Sequence, residues 1–224
     1  MNEQVLIISP HLDDEVLGCG GAIIRHVEAG DVIHVCFVAH RVYGHFYNAD
    51  VMDRQRANSH AAAGRLGYQS ETFLDLPDER LDECLQDIII PLEACAAQLS
   101  PDIVYSPFPG DNNQDHRAVA RAAQVIMRPF GLVKARRWVF YEAPSSTESA
   151  PNVGDAVFRP TAYLDIADVL EKKIDALRCY TDECRPFPNP RSPEGLRALA
   201  MKRGMEAGME MAEAFMLVRE RIRI

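Results

Sequence analysis

Short apolar runs alternate with segments of helical spacing along most of the chain. VLIIS (5–9), VIHVCFVA (32–39), ETFLDL (71–76), the stretch 102–106 and RWVFYEA (137–143) read as strands. Continuous apolar runs bounded by turn residues fit strands buried on both faces. Helical spacing fills 15–30, 53–67, 82–99 and a segment from His116 or Arg117 toward Arg128. In the first of these, Val16, Ile23, Ile24 and Val27 share a face, and Gly30 ends the pattern. Residues 40–52 and 144–156 read as loops. A further strand is expected at 157–166 and a helix at 167–180. The proline-rich connector 187–195 is irregular, and the pattern from there to about Phe215 predicts a helix.

Strand–helix alternation predicts an α/β fold. The expected architecture is Rossmann-like and doubly wound: a mostly parallel sheet with helices on both faces, in one domain over 1–224. In that arrangement the first and fourth strands are neighbours and the winding reverses between them. Ligands bind there, beyond the carboxyl ends of the strands. The loops after residues 9 and 106 are therefore the places to look.

Both loops follow a strand ending in Ser-Pro, and both carry histidine and aspartate: PHLDDE (10–15) and PFPGDNNQDHR (107–117). A catalytic zinc takes three protein ligands and leaves one position for water. His11 and Asp14, three residues apart in a turn entering a helix, can converge on one spot, and His116 adds a third ligand from the opposite loop. Asp13, between the two ligands, is placed to act on a metal-bound water as general base. Asp115 is expected to accept the free ring N–H of a ligating histidine. Glu15 opens the helix, where its charge suits the dipole. One cation would offset this crowding of acids; without it, at least one carboxyl pKa should rise.

The competing reading of HLDDE is a plain acidic helix start. The competing reading of GCGG (18–21) is a dinucleotide-binding turn, but its spacing is not G-x-G-x-x-G and acids precede it. Close packing of the helix on the sheet accounts better for these glycines. Substrate contacts are expected from Arg54, Asp78 and Arg191, with Arg56 and Ser192 as lesser candidates. His40, His45 and His60 read as ordinary surface or core histidines.

Composition narrows the function. A net charge of −9 with scattered basic residues disfavours nucleic acid and anionic membranes. No apolar run reaches the roughly 18–20 residues of a membrane span, and MNEQVLIISP lacks a basic n-region. A cytoplasmic protein is expected. The six cysteines form no CxxC pair and read as reduced, mostly buried thiols.

With these residues in place, the chain resembles the LmbE-like (PIG-L) family of zinc-dependent de-N-acetylases. SPHLDDE corresponds to that family's (A/S/P)HPDDE motif, LGCGG to the glycines that follow it, and NQDH (113–116) to its HPDH motif. LPDERL (76–81), the SST stretch (145–147) and the NPRS…RG…AEAF tail extend the likeness over nearly the whole chain. The resemblance implies one Zn²⁺ per chain, or another divalent metal such as Fe²⁺, on His11, Asp14 and His116. It implies Asp13 as base and the deacetylation of an N-acetylated amino sugar on a conjugate, sugar-nucleotide or glycolipid. It also implies a homo-oligomer, for which the methionine-rich helix near the C-terminus is a candidate contact. Leu12 stands in place of the motif proline. Asn113 stands in place of the first histidine of HPDH, leaving a neutral amide as the oxyanion donor. That departure keeps open a metal-binding relative without deacetylase activity, and the glycine stretch keeps open a nucleotide-binding α/β module.

Overall fold

The computed structural model describes residues 2–40, 48–68, 70–151 and 157–222. His45 and parts of the two expected loops lie outside them. Among the described residues seven strands form one sheet: β1 (Gln4–Ser9), β2 (Val32–His40), β3 (Ser70–Pro77), β4 (Ile103–Pro107), β5 (Arg137–Tyr141), β6 (Ala162–Asp165) and β7 (Ala212–Glu220). Their order is β3-β2-β1-β4-β5-β7-β6. The first five are mutually parallel; β7 runs antiparallel to both β5 and β6.

Six α-helices among the described residues accompany them: α1 (Asp14–Ala29), α2 (Ala49–Leu66), α3 (Leu85–Leu99), α4 (Gln114–Ile126), α5 (Leu170–Leu177) and α6 (Pro193–Ala207). Strand periodicity divides the core. Val5, Ile7, Val35 and Phe37 pack on one face with residues of α1, α2, α5 and α6. Leu6, Ile8, Cys36 and Val38 pack on the other with residues of α3 and α4. Because both faces are covered, the central strands are apolar at nearly every position.

The C-terminal region differs from the sequence expectation. The helix ends at Ala207, capped by Gly208 at φ 71°, and 212–220 is strand. Met, Ala and Glu are good helix formers, but pairing with β5 and β6 overrides that local preference. The strand expected at 157–166 is limited to 162–165, where β7 gives it a partner. Helices α2, α4 and α6 begin earlier than expected, α6 at Pro193 within the connector read as irregular. Asn48 caps α2 by accepting from Asp50 N, and Asn113 caps α4 by accepting from Asp115 N.

The glycines of α1 let it lie against the sheet. A Cβ at Gly18 would overlap the ring of Tyr141, which is fully buried and donates to the Ile8 carbonyl at 2.8 Å. At Gly21 a Cβ would strike Ile166. There Gly21 N donates to Glu213 Oε1 at 2.6 Å, beside the buried Lys173–Glu213 ion pair. Gly18→Ala gains up to about 1 kcal/mol of helix propensity. Overpacking against an immobile ring costs about 1–3 kcal/mol. We expect a net loss, read as a melting temperature several degrees lower than wild type.

Candidate metal centre

β1 and β4 are adjacent, and their carboxyl ends deliver the two loops to one crevice. The first loop is a tight turn: Ser9 Oγ donates to His11 O at 2.7 Å, and His11 N to Asp14 Oδ2 at 3.0 Å. Asp13 takes φ 141°, ψ −26°, a conformation rare for a residue with a Cβ. Such strain costs on the order of 1–3 kcal/mol and clusters at functional sites.

Three donor atoms converge. His116 Nε2 lies 3.1 Å from Asp14 Oδ2 and 3.3 Å from His11 Nδ1, and His11 Nδ1 lies 3.3 Å from Asp14 Oδ2. All three residues are buried. The outward nitrogens face carboxylates instead. His11 Nε2 is 2.9 Å from Asp78 Oδ1 and 3.1 Å from Asp115 Oδ2. His116 Nδ1 faces Asp111 Oδ1 at 3.5 Å. Protons on the outward nitrogens leave two imidazole lone pairs and a carboxylate aimed at one another, which only a cation satisfies. Two ligand atoms each about 2.0–2.1 Å from a tetrahedral zinc stand about 3.3 Å apart. The triangle therefore fits a divalent metal in both size and donor chemistry.

Without the cation the triangle holds protons. Burial alone would lower His116, but Asp14 and Asp111 outweigh it and push its pKa up to about 9. Burial likewise opposes the charge on His11, yet Asp115, Asp14 and Asp78 hold it well above the ordinary histidine value. A metal must displace these protons. Metal affinity is therefore expected to rise with pH toward 9 and to fall below it, roughly tenfold per pH unit for each proton displaced. Calorimetry in buffers of different ionisation enthalpy measures that release; an affinity flat between pH 6 and 8 would contradict it.

The other expected site residues fall as follows. Asp115 is buried and faces a histidine of the triangle, His11 on the opposite loop. It also accepts from Glu79 N at 2.7 Å and Leu81 N at 3.1 Å, tying the turn after β3 to α4. Asp78 stands behind His11 and is buried, not at an open surface. Asn113 Oδ1 is committed to its cap at 2.8 Å from Asp115 N. Arg54 is exposed on α2 and pairs with Asp182, while Arg56 pairs with Asp75. Arg191 reaches Asp13 at 3.1 Å. Ser192 caps α6, accepting from Gly195 N. His40 and His60 are engaged with the Asp75 carbonyl and Glu71. GCGG lies inside α1 against side chains, where no phosphate could approach its backbone.

Glu15 departs from its expected role as a charged helix-start residue. Burial pushes its pKa up to about 8, against the lowering effect of Tyr180, whose OH donates at 2.6 Å. In the metal-free chain it is mainly neutral at pH 7. The sequence reading missed Asp111, Tyr180 and Glu183. Asp111 accepts from Asn113 N, Ser146 Oγ and Thr147 Oγ1, linking His116 to the SST stretch. Its place in the GDNNQDH loop was the available signal; the other two have none.

Fold and donors together define a doubly wound α/β protein with a group of two histidines and one carboxylate that could hold a metal at its switch point. The GlcNAc-PI de-N-acetylase (PIG-L) family matches residues 6–127, and the chain belongs to that family. A 4-oxalmesaconate hydratase of Pseudomonas putida KT2440 is 27% identical over 219 residues, covering 92% of this chain and 81% of the relative. The Escherichia coli K12 protein described as uncharacterized deacetylase YaiS is 31% identical over 159 residues, covering 68% and 81%. The crystal structure of GalB, the 4-carboxy-2-hydroxymuconate hydratase of Pseudomonas putida KT2440, superposes with a TM-score of 0.79 at 26% identity. That likeness covers 100% of this chain and 99% of the other. No described helix is long and apolar enough to cross a membrane.

Proposed function

We propose that this protein is a metal-dependent amidohydrolase that removes the acetyl group from an N-acetylated amino sugar. The observation that carries the reading is a buried carboxylate, Asp13, that stands outside the converging triangle but in the same turn as two of its three donors. Zinc or another divalent cation held by His11, Asp14 and His116 would polarise a carbonyl and lower the pKa of attacking water. Asp13 takes the proton from that water as it attacks the acetamide carbon. The Asn113 side-chain amide, oriented by its cap, donates to the developing oxyanion. Asp13 returns the proton to the nitrogen as the C–N bond breaks, giving acetate and a free amine.

The likeness to a Pseudomonas putida hydratase in sequence and in structure favours a second reading, addition of water to an unsaturated polycarboxylate. The charge around the site argues against it. Asp13, Asp14, Asp78, Asp111, Asp115 and Glu183 are all buried there. Arg191, the arginine that reaches Asp13 among the described residues, is paired with two of these acids. One divalent cation does not turn such a site into a receptor for a polyanion, whereas a neutral acetamido group needs no counter-charge.

The deciding experiment gives zinc-loaded protein two panels. Amine release is followed for N-acetyl amino sugars as free sugars, sugar-nucleotides and glycoconjugates. Water addition is followed by ultraviolet absorbance for unsaturated di- and tricarboxylates. Amine release that is lost in Asp13→Asn supports the proposal; turnover confined to the carboxylates replaces it with the hydratase reading.

A further inference from the structure

Arg191 was a substrate-contact candidate by sequence, but its guanidinium is engaged with protein groups. Nε donates to Ser145 Oγ at 2.7 Å. Nη1 donates both to Asp13 Oδ2 at 3.1 Å and to Glu183 Oε2 at 2.5 Å. Its backbone is pinned as well, Arg191 N donating to Asn189 Oδ1 and Arg191 O accepting from Arg185 N. The other end of Asp13 is also held: its N–H donates to Glu15 Oε2 at 3.1 Å, and Tyr180 OH binds the opposite oxygen of Glu15. Tyr180, Glu183 and Arg191 all follow α5. One connector thus grips Asp13 by its carboxylate and, through Glu15, by its backbone.

Two adjacent carboxylates in one turn pose a selection problem. A divalent cation at the His11–Asp14–His116 triangle attracts both Asp13 and Asp14. A fourth protein ligand would close the position that an open catalytic site keeps for water. A charge-assisted hydrogen bond from a fixed guanidinium is strong enough to compete. Glu183 anchors that guanidinium independently of Asp13.

We propose that Arg191 is a positioning residue that holds the Asp13 carboxylate off the metal position and in place to act as base. This rests on the metal-dependent reading given above. Substrate is not its direct partner.

The test uses the full chain loaded with Co²⁺, whose visible d–d absorption reports the number and kind of ligands. Wild type, Arg191→Ala and Arg191→Lys are compared for spectrum, Co²⁺ affinity by chelator competition, and amine-release kinetics. In Arg191→Ala the spectrum should change and affinity should rise, because Asp13 joins the metal. kcat should fall about 10²-fold, the scale of a misplaced catalytic group, with KM near the wild-type value. Added guanidinium ion should restore both spectrum and kcat, and lysine should recover part of each. An unchanged spectrum in both variants, or a loss carried by KM alone, overturns the proposal. If wild type releases no amine from any substrate, the deacetylase reading fails by itself, and the cobalt spectra still decide whether Arg191 restrains Asp13.

Discussion

His116→Ala protein is expected to purify without stoichiometric metal and without turnover. The substitution removes one of three donors that stand 3.1–3.3 Å apart, and two donors hold a divalent cation poorly. It also leaves Asp14 buried without the imidazole whose charge holds its pKa well below the carboxylate range. Breaking a buried ion pair from one side costs about 3–5 kcal/mol. The metal-free fold should show this as a pH effect. The folded-state pKa of His116, about 9, lies above the roughly 6.5 of an unperturbed histidine. The imidazolium therefore stabilises the metal-free wild type fully below about pH 6.5, and that stabilisation is lost as pH rises toward 9. Melting curves of metal-stripped wild type should fall across this window, and those of His116→Ala should lack that component. Metal analysis of freshly purified variant protein checks the first half of the expectation; a stoichiometric cation would refute it.

Asp13→Asn should behave in the opposite way with respect to metal. It keeps all three donors, so the cation stays. The amide cannot take a proton, so kcat should fall by the roughly 10²–10⁴-fold that a general base contributes. Asp14→Asn, one residue away, is the control: it should lose metal and activity together. The contrast separates a base from a ligand within a single turn, and the metal-to-protein ratio measured beside kcat reads it directly. Equal metal loss in both variants would mean that Asp13 is a ligand.

The site was legible to the extent that its chemistry is local. HLDDE and QDH carry their residue types at fixed spacing, and the alternation of strands and helices assigns both loops to neighbouring strand ends. Asp115 shows where this stops. Its service to a histidine followed from residue type alone, but the histidine it serves is on the other loop. Arg191 shows the same limit: it was expected at the substrate pocket, and its guanidinium donates to Asp13, on the turn after β1. Neither partner can be read from spacing, because the residues are far apart in sequence.

The amino-acid sequence by itself determined the order of the first four βα units and the strand that follows them, the burial of both sheet faces, and the two acidic–histidine loops. Those properties follow from periodicities of two and 3.6 residues and from short turns, which depend only on near neighbours. The tertiary structure alone decided that 212–220 pairs as an antiparallel strand despite helix-forming residues. It also decided that Asp78 backs His11 and that the connector after α5 grips the HLDDE turn. These are contacts between segments up to 178 positions apart, formed only once the sheet has brought its strand ends together.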